Sequence, residues 1–206
     1  MTRGSAEAAP AHAEPAPVER PLRKDAQRNR ALLLEVAGNQ FTAHGVDVPL
    51  EDIARAAGVG IGTLYRHFPT RGALIEAVYR REAEQLCDSA GALLRGLPAD
   101  DALAAWMQNF VAYATAKRGL SEALKDMITA EPDLFTATRS AIYAAADSVL
   151  SAAARAGAIR SDIEPEDLIR GMGGICMASD PVHPDGANKL ISILLDGMRH
   201  GATRSG

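Results

Sequence analysis

Cysteine is nearly missing from this chain: Cys87 and Cys176 are the only two, far apart and without a C-x-x-C pair. That usage argues against a disulfide framework or a cysteine zinc site and fits a reducing, cytoplasmic setting. The histidines at positions 12, 44, 67, 183 and 200 show no H-x-x-x-H or H-E-x-x-H spacing, so no metal site is expected. No run of 18 or more apolar residues occurs, which predicts no membrane span. The opening MTRGSAEAAPAHAEPAPVER lacks the continuous apolar segment of a secretory leader. Its Ala, Pro and Glu bias predicts a solvated tail over residues 1–20, because little apolar surface is available to offset ordering entropy. Alternating strand patterns are absent, as are paired carboxylates and Cys–His or Ser–His arrangements in a plausible site. The chain therefore reads as all-α, and neither enzymatic activity nor a cofactor is expected.

Aromatic residues are scarce too, at four Phe, four Tyr and one Trp in 206 residues, which makes one stretch conspicuous. Gly58 to Arg71 reads GVGIGTLYRHFPTR, with glycines at 58, 60 and 62 followed closely by Thr63, Tyr65, Arg66 and His67. The net charge of −4 conceals an asymmetry. From Arg20 to Arg71 eight basic residues face five acidic ones, whereas from Ala83 to Gly206 eleven face sixteen. The N-terminal part can meet phosphates and the remainder cannot.

Helical periodicity and punctuation place this stretch. Leu33, Val36, Ala37 and Phe41 share one face of a first helix starting near Asp25 and capped at Gly45. Pro49, Glu51 and Asp52 suit the first turn of a second helix, about Leu50 to Ala57, closed by Gly58. A third short helix, about Ile61 to His67, stops at Pro69, and Thr70 can cap a fourth that runs to about Leu94. Two short helices across a glycine turn make a helix-turn-helix unit. Its second helix can present Thr63 to a phosphate or a base edge, and Tyr65 and His67 to phosphate oxygens. Arg66 and Arg71 supply charge, Thr42 is a further phosphate candidate, and Gly60 and Gly62 permit close approach. Leu64 and Phe68 read as core. Such turns also occur in proteins that never touch DNA, so spacing alone leaves a helical ligand-binding or adaptor protein open.

Five more helices are expected beyond Pro98: Asp100 to Lys117, Ser121 to Thr129, Glu131 to Arg155, Glu166 to about Ala178, and Ala187 to His200. The run DPVHPDG separates the last two.

The segment IARAAGVGIGTLYRHFPTRGALIEAV, Ile53 to Val78, closely resembles the N-terminal domain of TetR-type transcriptional regulators. The pieces carrying the likeness are Ile53-Ala54, Ala57-Gly58-Val59, Gly62-Thr63-Leu64-Tyr65, His67-Phe68 and Arg71. The resemblance implies a DNA-binding head over residues 21–80 and a helical effector-binding and dimerisation domain over 81–206. It further implies DNA contacts from Thr63, Tyr65 and His67, with Arg71 on the phosphate backbone. Gly60 departs from the family's frequent capping Ser or Thr, and Arg71 from its frequent Lys. The partners implied are a palindromic double-stranded operator, a second copy of the chain and a small-molecule effector that relieves repression. The last two helices would pair in a four-helix bundle, where the Gly171–Cys176 segment GMGGIC permits close approach. Leu190, Ile193 and Leu194 belong to its broad apolar surface. As effector-pocket candidates we take Trp106, Met107, Phe110 and Tyr113 from one helix, with Met127, Phe135, Tyr143 and Met172 from others. The C-terminal half is similar to an SbtR-like domain.

Overall fold

The computed structural model describes residues 19–130, 132–178 and 185–200, and every regular element among them is a helix. The all-α expectation is met. The expected tail, apart from its last residues, and most of the DPVHPDG separator lie outside the described residues.

Helix α1 (Glu19–His44) begins before Asp25. Its first turns carry no apolar stripe, but Arg and Lys are good helix formers and Pro21 falls in the first turn, where a missing N–H costs nothing. Gly45 ends the helix at φ 81°, its N–H donating to the Phe41 carbonyl at 2.9 Å. Pro49 stands just outside α2 (Leu50–Ala56) as its N-terminal boundary residue, rather than in the first turn. At the other end Gly58, at φ 67°, lets its own N–H reach Arg55 and that of Val59 reach Ala54, a Schellman closure. Helix α3 (Ile61–His67) follows at once. Then Thr70 caps α4 (Arg71–Gly96) as expected, its hydroxyl oxygen accepting from the Ala73 N–H at 3.1 Å.

The remaining helices are α5 (Ala99–Gly119), α6 (Ser121–Ala130), α7 (Pro132–Arg155), α8 (Pro165–Ala178) and α9 (Asp185–Arg199). Helix α4 packs against both α5 and α7, and α5 also meets α1, α8 and α9. At 26 residues α4 spans about 39 Å, so one element belongs to the head at its start and to the C-terminal bundle at its end. The buried core is correspondingly continuous, from Leu33, Phe41 and Leu64 in the head to Trp106, Val149 and Leu168 in the bundle.

Gly119 marks the junction. A Cβ placed there would sit 2.6 Å from the Phe41 carbonyl oxygen and 2.8 Å from the Thr42 Cα. The end of α5 therefore lies backbone to backbone against the end of α1, a contact that no side chain at position 119 would permit.

Candidate nucleic-acid interface and effector cavity

Two apolar side chains orient α3. Leu64 is fully buried and Phe68, just past the helix, nearly so. The Arg30 guanidinium of α1 lies 5.3 Å from the centroid of the Phe68 ring, pinning the end of α3 to the first helix. With that face held, the helix turns the rest of its surface outward. Tyr65 is 45% exposed, Gly62 and Arg66 are exposed, and Thr63 and His67 are half-buried beside them. Among the described residues Arg66 has no ion-pair partner, whereas Arg55 on α2 is paired with Asp52 at 2.9 Å.

Gly60 is the boundary residue of α3, in extended conformation and without a side-chain cap. A Cβ at Gly60 or at Gly62 would meet nothing within 4 Å. Packing within the chain does not require glycine at either position; the space they leave faces outward.

Arg71 has an internal role that the sequence does not reveal. Its Nη1 donates to the carbonyls of Val46 and Val48, at 2.6 and 2.7 Å. One guanidinium thus ties the start of α4 to the α1–α2 turn and satisfies two loop carbonyls with charge-assisted bonds. Thr42 is exposed in the last turn of α1, on a different element from α3.

In the C-terminal bundle the eight pocket candidates divide. Phe110, Tyr113, Phe135 and Tyr143 line a cavity of about 380 Å³ with Tyr79, Lys117, Arg139 and Ile142. Phe110, Tyr113 and Lys117 also line a second chamber of about 380 Å³, with Leu124, Gly173 and Met177 among its other walls. Trp106, Met107 and Met172 are instead wholly buried core. The Trp106 indole N–H donates to the Leu86 carbonyl at 3.1 Å, fastening α5 to α4. Met127 is half-buried against that core.

The first chamber is aromatic, with Tyr79 and Phe135 stacked at 5.1 Å and Phe110 and Tyr113 tilted at 5.9 Å. Burial, and then the neighbouring Tyr79 hydroxyl, pushes the Tyr113 phenol far up, so it stays neutral. Lys117 is held below the usual lysine range, first by desolvation and then by the like charge of Arg139. The Cys87 and Cys176 thiols are both pushed up, chiefly by burial, which is the opposite of thiolate activation. Among the described residues no three His, Cys, Asp or Glu side chains form a metal-ligand group, and no helix is long and apolar enough to cross a membrane.

Residues 33–78 match the tetR family of bacterial regulatory proteins, and residues 98–200 match the C-terminal domain of SbtR-like transcriptional regulators. A TetR transcriptional regulator from Streptomyces coelicolor is 45% identical with a TM-score of 0.78, over 84% of this chain and 99% of that one. A TetR transcription regulatory protein from Mycobacterium vanbaalenii is 37% identical with a TM-score of 0.70, over 87% and 99%. HTH-type transcriptional regulators of Staphylococcus aureus are 39% identical over 64 residues, 31% of this chain. The chain spans 35% of the length of these curated relatives.

Proposed function

Because the chain belongs to the TetR family of transcriptional regulators, we propose that it acts in the cytoplasm as a homodimeric, ligand-responsive repressor of a palindromic operator. The observation that carries this reading is the orientation of α3. Leu64 and Phe68 hold it from behind, leaving Tyr65 and Arg66 outward over a glycine-lined opening. In that pose α3 enters the major groove, Thr63 and Tyr65 meet base edges or phosphates, and His67 and Arg66 flank them. Arg71 keeps the head in shape, and Thr42 approaches the backbone from α1.

The dimer uses α8 and α9. One face of α9 is already committed inward through Ile191, Leu195 and Met198. The opposite stripe, with Leu190 at 43% and Ile193 at 58% exposure, has apolar surface left over, and Met177 on α8 is 86% exposed. A Cβ at Gly173, Gly174 or Gly197 would meet nothing within the protomer, which leaves room for a second pair of helices to come close. Joined this way, two α3 helices can address half-sites one duplex turn apart, about 34–36 Å.

Effector control follows from the last turn of α5. It places Lys117 on the cavity wall and, two residues later, Gly119 against the backbone of Phe41 and Thr42. An effector that shifts this turn biases the seat of α1 and hence the spacing of the heads. Its leverage is its differential affinity for the two arrangements, about 1–3 kcal/mol.

Gel-shift titration with duplexes flanking the chain's own gene tests the proposal. Palindrome-specific binding that falls steeply with salt is expected. Equal affinity for scrambled duplex would refute specific readout, and no binding at any low-salt condition would favour a ligand-binding or adaptor role.

A further inference from the structure

We infer that the effector is an amphiphilic organic anion, its charged head held between Lys117 and Arg139 and its apolar body lying along Phe110. This inference rests on the preceding proposal that the bundle cavity is the effector site.

The charge of the first chamber is one-sided. Among its described lining residues Lys117 and Arg139 are the ionisable groups that carry charge, both are cationic, and no carboxylate stands opposite them. Lys117 makes no hydrogen bond or ion pair among the described residues. Arg139 has only a neutral partner: its Nη2 donates to the Tyr143 hydroxyl at 3.2 Å, and its guanidinium lies 5.3 Å from that ring's centroid.

Several arginines elsewhere in the molecule find carboxylates. Arg80 pairs with Glu76 at 2.7 Å, Arg160 with Asp162 at 2.5 Å and Arg199 with Asp100 at 3.6 Å. Two like charges brought to one aromatic wall, with no carboxylate among its described lining residues, repel each other. The lowered basicity of Lys117 runs the same way, with shielding by its neighbours the larger cause and the Arg139 charge the second. A bound anion removes the repulsion and accepts charge-assisted hydrogen bonds from both cations. A cationic ligand would add a third like charge to the same chamber.

The rest of the ligand meets a mainly apolar and aromatic wall. Beyond the two cations the chamber offers Tyr79, Phe110, Phe135, Ile142 and Ile169, and Phe110 continues into the second chamber beside Leu124. Lys117 sits where the chambers meet and is itself exposed. A head group can therefore reach it from solvent while the body slides past Phe110.

Isothermal titration of the full-length protein with decanoate, decanol and decyltrimethylammonium tests this, since the three share a ten-carbon chain and differ in head-group charge. Decanoate is expected to bind at least about tenfold more tightly than decanol, with decyltrimethylammonium weakest. In Lys117→Gln/Arg139→Gln that preference should vanish while decanol affinity is unchanged, and Lys117→Arg/Arg139→Lys should keep it. Thermal melts of both double variants verify folding, and the charge-conserving pair keeps the test valid if the neutral pair melts early. Equal binding of decanoate and decanol to the wild type, or preference for the cation, would overturn the anion assignment and leave the cavity as an effector site. Silence from all three ligands up to their solubility limits would count against the cavity reading itself and take this inference with it.

Discussion

Arg66 and Arg71 stand at the two ends of one short turn and perform separable tasks. Arg66 is exposed and unpaired among the described residues, while Arg71 donates two bonds to the carbonyls of Val46 and Val48. Hydrogen bonds from a charged donor contribute about 1.5–3 kcal/mol each, and their loss also strands loop carbonyls. Arg71→Ala should therefore lower the melting temperature clearly, with operator affinity falling as the head loosens. Arg66→Ala should leave melting unchanged and reduce the salt slope of DNA binding by about one. Equal melting of the two variants would refute the internal role of Arg71. At 45% exposure Tyr65 has little core to lose, so Tyr65→Ala should weaken operator binding about tenfold without destabilising the fold. A large melting shift in that variant would instead mark Tyr65 as structural.

The last turn of α5 touches both the cavity, through Lys117, and the backbone of α1, through Gly119. Gly119→Ala would thrust a methyl to 2.6 Å from a backbone carbonyl, where no flexible side chain can yield. This variant should lower both the melting temperature and operator affinity. Gly96→Ala, whose methyl meets nothing within 4 Å, should do neither, and identical behaviour of the two in thermal melts and gel shifts would dismiss the α1–α5 contact as a coupling point. This junction illustrates what the sequence conceals. Helices α2 to α4 are legible because local chemistry punctuates them, with Gly45 and Gly58 in left-handed turns and Thr70 as a cap. The approach of Gly119 to Phe41 joins distant positions and leaves no local mark. The cavity is half legible for a related reason. Helical spacing places Trp106, Met107, Phe110 and Tyr113 inward alike, but only packing against α4 and α7 decides which fill space and which border it. Lys117 and Arg139 read as ordinary surface cations until α5 and α7 bring them to one wall.

For the whole molecule, the fold joins an outward-facing short helix, a cavity and a residual apolar stripe through one continuous core. The stripe on α9 predicts that Ile193→Asp, at a position 58% exposed in the protomer, yields a folded monomer by sedimentation velocity. A variant that still sediments as a dimer would move the interface away from α9. Repression as proposed needs two heads at fixed spacing, so the same variant should lose tight operator binding while retaining its helical circular dichroism. The most direct measurement places a photo-crosslinking benzoylphenylalanine at Tyr65 and irradiates the full-length protein on the operator duplex found by gel shift. Crosslinks to major-groove bases in both half-sites, and none on a scrambled duplex, are expected. Protein that binds the operator yet forms no DNA crosslink from position 65 would contradict the placement of α3 on which the rest depends.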